Sequence, residues 1–121
     1  NMKTLLVMGI LIFGISEVAN CQTKETLLTE KEKIEALIKS IENLESAKFY
    51  RNGSIYDAET AGKHLRMKLN KAGDRVKTVE DFIEKIGSKS SITDENYKII
   101  YADGKEIIAR TYFYNVLKSL K

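Results

Sequence analysis

An unbroken apolar run over residues 5–15, with Lys3 ahead of it and Ser16 and Glu17 behind it, sets how much of this chain is available to fold. A bilayer-spanning helix needs about 20 apolar residues, and this run is far shorter. The small-residue stretch Val18-Ala19-Asn20-Cys21 follows, completing the layout of a secretory signal peptide. The expectation is a leader over residues 1–21 and a single globular domain over residues 22–121, exported to the periplasm or secreted. Two processing routes compete. In the first, Ala19 and Cys21 are the small residues of an A-x-A-like site, and the mature chain begins at Gln22. In the second, Val18-Ala19-Asn20-Cys21 is a lipobox and Cys21 is acylated, which would anchor the domain to a membrane. Asn20 stands where lipoboxes prefer Gly, Ala or Ser, and this favours the first route.

A domain of about 100 residues builds one modest core. Cys21 is the single cysteine of the chain, so this domain has no disulfide and rests on packing alone. Lys3 and Glu17 cancel in the leader, and the domain keeps the +3 net charge of the whole chain. That modest excess, with both signs interleaved along the sequence, is no footprint for nucleic acid.

Helical periodicity runs over residues 27–48, placing Ile34, Leu37, Ile38, Ile41 and Leu44 on one face and Glu35, Lys39 and Glu42 on the other. Thr29 and Glu32 have the spacing of a capping box. Asn52-Gly53, between Tyr50-Arg51 and Ile55-Tyr56, signals a tight turn and a short strand pair. Asp57 caps a second helix that runs to Ala72 and stops at Gly73, with Ala58, Ala61, Gly62, Leu65 and Leu69 on its buried stripe. Its small residues allow another element to come close. Lys63, His64, Arg66, Lys68 and Lys71 load its later turns with cations, which the helix dipole favours without any ligand. Thr78 caps a third, short helix through Ile86, and residues 88–91 read as a loop. Asp103-Gly104 signals a C-terminal hairpin that would place Ile99 and Ile108 on one face and Ile100 and Ile107 on the other, so that both faces want cover. A last helix from about Thr111 carries Phe113, Val116, Leu117 and Leu120, and together with the first it would cover that hairpin. The fold class is α+β: four helices, a C-terminal hairpin and a shorter strand pair at the Arg-Asn-Gly turn.

Chemistry is scarce. One histidine and one cysteine cannot supply the usual zinc set, and no glycine-rich phosphate loop, G-x-S-x-G elbow or H-E-x-x-H pair is present. No cofactor or metal is expected, and no catalytic residue is assigned. A serine hydrolase would have to use His64 as base with Ser88, Ser90 or Ser91. Glu80, Asp81 and Glu84 sit at a helix start, where the dipole favours acids. One polar constellation remains: Arg51 and Asn52 in the turn, Tyr56 after it, and His64, Arg66 and Lys68 on the second helix. These donors suit a carboxylate or phosphate. His64 and Lys68 share a helix face, whereas Arg66 points about 200° away from His64. The competing reading is structural: Arg51 and His64 would tie the carbonyls of the turn to the helix.

At this constellation the chain resembles the bacterial family known as domain of unknown function 5329. The resemblance is carried by Phe49-Tyr50-Arg51-Asn52-Gly53, by Tyr56, and by Ala61, His64, Leu65, Arg66 and Lys68. Further on it includes Thr78, Glu80, Asp81, Phe82 and Ile83, the serines Ser88 and Ser90, and Tyr97, Ile99, Asp103 and Gly104. Asp94-Glu95-Asn96 departs from a small Ser-Gly step in the pattern. The resemblance implies an exported bacterial protein and brings no activity with it. The functional expectation is a non-catalytic binding module for a small anionic ligand or another exported protein. A periplasmic inhibitor or immunity-type protein is the first alternative, and a hydrolase using His64 the second.

Overall fold

The structure, a computed structural model, describes residues 27–120. The expected leader over residues 1–21, with its two processing routes, lies outside them. Among the described residues no helix is long and apolar enough to cross a membrane.

Helix α1 (Glu30–Glu42) opens on the expected box: Thr29 Oγ1 accepts from Glu32 N–H, and the Glu32 carboxylate accepts from Thr29 N–H. The helix is shorter than its periodicity suggests. It stops at Asn43, and Ser46 at φ 70° turns the chain so that Lys48 starts a strand. Strands β1 (Lys48–Arg51) and β2 (Ser54–Tyr56) flank Asn52-Gly53, whose φ values of 52° and 81° make the two-residue turn with both central residues left-handed. Helix α2 (Ala58–Ala72) is capped by Asp57, which accepts from Thr60 N–H. Helix α3 (Val79–Phe82) starts on a second capping box, Thr78 with Asp81, and widens into a π turn over Ile83–Gly87. Strands β3 (Lys98–Ile100) and β4 (Glu106–Ile108) follow, and α4 (Ala109–Ser119) leaves β4 directly, two residues earlier than expected.

The two hairpins join. Phe49 of β1 pairs with Ile99 of β3, giving one antiparallel sheet in the order β2-β1-β3-β4. The C-terminal hairpin differs from the expected register by one residue. Ile99 faces Ile107, and Ile108 faces Lys98. The physical reason is the loop: Tyr101 N–H bonds Lys105 C=O, so Ala102, Asp103 and Gly104 form a three-residue connection, with Gly104 at φ 91°. A one-residue slip exchanges faces, so the sheet has one apolar side carrying Ile99 and one outer side carrying Ile108.

The helices lie on the apolar side. As expected α4 packs on β4, but α2 rather than α1 packs beside it on β1, and α1 packs mainly on α2, α3 and α4. The core joins Leu37, Ile38 and Ile41 of α1 to Phe82, Ile83, Ile99 and Phe113, all fully buried or nearly so. Each such side chain is worth about 1.5–3 kcal/mol of transfer free energy. Gly62 makes the α1–α2 contact possible, because a Cβ there would fall 2.5 Å from Glu42 Cγ.

Candidate functional site

The β1–β2 hairpin and α2 place the expected residues on two different surfaces. Arg51 ends β1, Tyr56 ends β2, and His64 and Lys68 face them from α2 one turn apart. Tyr56 organises the group: its ring meets the His64 ring edge-on, with centroids 4.7 Å apart, and the Arg51 Cζ lies 5.9 Å from its centre on a cation–π contact. Arg51, His64 and Lys68 line an open groove of about 340 Å³ whose other walls come from Met67, Lys71, and the segment Ser90-Ser91-Ile92. Arg51, Tyr56, His64 and Lys68 also line an adjoining pocket of about 40 Å³, closed on its inner side by Phe49, Leu65 and Phe113.

Arg66 is elsewhere. Its guanidinium makes a bidentate pair with Glu35, at 2.9 and 2.8 Å, and reaches Glu42 at 3.0 and 3.1 Å. These bonds hold the Glu35 carboxyl below the usual carboxylate range, Arg66 being the main cause. Arg66 is thus a brace between α2 and α1, as its angular offset from His64 suggested. Asn52 is a brace as well, since its Oδ1 accepts from Thr93 Oγ1 at 2.8 Å and ties the hairpin tip to the loop across the groove.

The structural alternative assigned the carbonyl ties to Arg51 and His64, and neither residue makes them. Arg51 Nε and His64 Nδ1 are buried and have no hydrogen-bond partner among the described residues. Lys68 is the tie: its Nζ donates to the carbonyls of Ile86 (2.9 Å) and Lys89 (3.2 Å) and to the Tyr97 hydroxyl (2.9 Å). All three of its protons are therefore placed, and it offers the groove charge more than donors. Burial, and after it the neighbouring Arg51 charge, push the His64 imidazole below its usual pKa, so it is neutral at pH 7.

Ser90 and Ser91 share the groove with His64, but no hydrogen bond joins either hydroxyl to the imidazole. Ser90 is buried, and its Oγ accepts from Ile92 N–H and Thr93 N–H. Ser88, also buried, donates to the Ile83 carbonyl. Of the serines expected to be plain loop, Ser88 and Ser90 are structural, and Ser88 C=O also accepts from Tyr97 N–H. Among the described residues no group of three or more His, Cys, Asp or Glu is placed to hold a metal ion.

Sequence reasoning passed over Tyr97 as a bonding partner and Lys71 and Arg75 as groove residues. Their signal was present for the cations: His64, Lys68, Lys71 and Arg75 follow the 0, 4, 7, 11 spacing of one helical stripe. Tyr97 had none beyond its place in the resemblance.

Residues 28–121 match the model of DUF5329, a family of unknown function, in agreement with the resemblance read from the motifs. The uncharacterized protein YfeK of Salmonella typhimurium strain LT2 is 38% identical over 68 residues, which cover 56% of this chain and 57% of that protein. The matched segment therefore spans little more than half the length of that relative. No solved structure matches the chain.

Proposed function

We propose, for a chain that belongs to the DUF5329 family of unknown function, that it is an exported, non-catalytic binding module that takes an anionic group into the groove between its first hairpin and α2. The observation that carries this reading is the pair of buried, unpartnered side-chain nitrogens, Arg51 Nε and His64 Nδ1, on two side chains that line one groove. A buried polar atom without a partner costs about 1–3 kcal/mol, and native interiors rarely keep two side by side. A carboxylate or phosphate entering the groove would give the Arg51 fork its acceptor and would sit in the field of Lys68. Tyr56 holds Arg51 and His64 in place before the ligand arrives. The apolar run over residues 5–15 supports the exported location.

Thermal melts of the domain and of Arg51→Ala, with and without phosphate, acetate and anionic cell-wall fragments, test the reading. The expected result is a wild-type melting temperature that rises with at least one anion, and a variant that melts near the wild-type temperature and no longer responds. An unresponsive wild type would overturn it.

A further inference from the structure

The groove does not end at His64. A second groove of about 330 Å³ adjoins it, sharing Lys68, Lys71 and Ser91, and continues past the end of α2 to Arg75 and Lys85. Every charged side chain lining the two is basic: Arg51, Lys68, Lys71, Arg75 and Lys85, with His64 the one further titratable cation. The acids near its edges are already engaged, Asp81 with Lys85 at 3.7 Å and Asp94 with Lys89 at 3.5 Å. Lys71 makes no ion pair among the described residues. Arg51, Lys68 and Arg75 likewise make none, so four of the channel's cations have no carboxylate partner among the described residues. From His64 to Lys71 the stripe runs about 10 Å along α2 at 1.5 Å per residue, and the groove continues past the helix end to Arg75 and Lys85, longer than a single carboxylate or phosphate.

Two exposed apolar side chains flank this basic channel. Met67 is 56% exposed and Ile92 84% exposed, and both line the Arg51 groove. Single exposed apolar residues need no explanation, but here two flank a cationic trough from opposite walls, one on α2 and one on the loop that faces it. The only aromatic residue that lines either of these two grooves is Tyr97, which is buried, so no row of ring faces is offered for stacking nucleic-acid bases.

Building on the anion-binding reading, we infer that the natural ligand is an anionic lipid headgroup carrying two phosphates, which lie along the Arg51–Arg75 channel while Ile92 and Met67 contact its apolar part at the bilayer surface. Lys and Arg near an anionic membrane each contribute about 1 kcal/mol, and the burial of one aliphatic side chain adds a comparable amount.

Cosedimentation of the domain with phosphatidylcholine vesicles, with and without cardiolipin, tests the inference, with pyrophosphate as the headgroup lacking a tail. Binding to the cardiolipin vesicles alone is expected. Ile92→Ser should weaken it about ten-fold, a larger factor than any change in its response to phosphate. Lys71→Ser should weaken vesicle binding about five-fold, with an unaltered melt in the absence of ligand. If phosphate raises the melting temperature through Arg51 but vesicles are not bound, or are bound equally by Ile92→Ser, the lipid inference falls and the anion site stands. Pyrophosphate binding as tight as lipid binding has the same meaning. If neither phosphate nor vesicles are bound, or if vesicle binding survives Arg51→Ala unchanged, the lipid inference falls together with the groove reading on which it rests.

Discussion

Arg66 on α2 and Glu35 on α1 meet through two parallel bonds of 2.9 and 2.8 Å, and the approach depends on a residue that has no side chain, Gly62, one turn before Arg66. Glu42 fills the space that a Cβ at Gly62 would take and gives Arg66 its second carboxylate. The three charged side chains are one-third to one-half exposed, so solvent screens part of the gain.

Arg66→Ala should therefore lower stability by about 1–2 kcal/mol, more than an isolated surface pair because the geometry is bidentate and shared. Anion binding should persist. Urea denaturation read alongside phosphate-dependent melting checks both halves, and loss of the anion response would return Arg66 to the site.

Lys68→Met removes the donor on which the Ile86 and Lys89 carbonyls and the Tyr97 hydroxyl converge. A cost of about 2–3 kcal/mol is expected, the range for stranding partly buried acceptors. Lys68→Arg should not restore it, since a planar fork cannot serve three acceptors arranged around one ammonium. A denaturant melt of both variants is decisive, and a fully stable Lys68→Met would contradict the tie.

His64 is the chain's one histidine, which makes its titration easy to follow by NMR. Its native pKa lies below the ordinary 6.5, with burial the larger cause and Arg51 the smaller. The unfolded chain takes up the proton first, so stability should fall as pH drops below about 6.5 and level off once the native imidazole also titrates. Above 6.5 both states are neutral and His64 contributes no pH dependence. An anion bound beside it should raise the native value, so affinity should increase as pH falls. Unchanged chemical shifts of the imidazole on phosphate addition would place the anion elsewhere.

The register of the C-terminal hairpin has a direct readout. Ile107 packs on the core beside Ile99, whereas Ile108 is 42% exposed. Ile107→Ser should cost about 2 kcal/mol, and Ile108→Ser less than about 0.5 kcal/mol. A larger cost at Ile108 than at Ile107 would support the opposite facing.

Processing is checked by mass spectrometry of the protein expressed with its own N-terminal segment. A mature chain starting at Gln22 is expected, and a diacylated Cys21 would replace soluble export with a membrane anchor.

Much of this fold was legible because its signals are local. Thr29 with Glu32, Asp57, Thr78 and Asn52-Gly53 each fix a boundary within three or four residues, and each does so here. What failed was long-range or turned on one residue. The length of the Asp103-Gly104 loop decides which isoleucines face the core, and the dipeptide alone does not set that length. The pairing of Phe49 with Ile99 crosses fifty residues and leaves no local mark. In the candidate site, helix geometry separated Arg66 from His64 correctly. It could not say which cation would be consumed by carbonyls, because the acceptors of Lys68 come from a π turn and a loop that no periodicity describes.

The bond between Asn52 and Thr93 ties the first hairpin to the loop that carries Ser90, Ser91 and Ile92, and Tyr50 adds a second tie to Glu95. Two of the elements that line the trough are thus fixed to each other before any ligand arrives. Its ligand is met by a fixed shape, so little ordering is left to be done on capture. Association should then run at the speed of electrostatic encounter and slow steeply as salt is added, and differences among ligands should be expressed in how long each one stays.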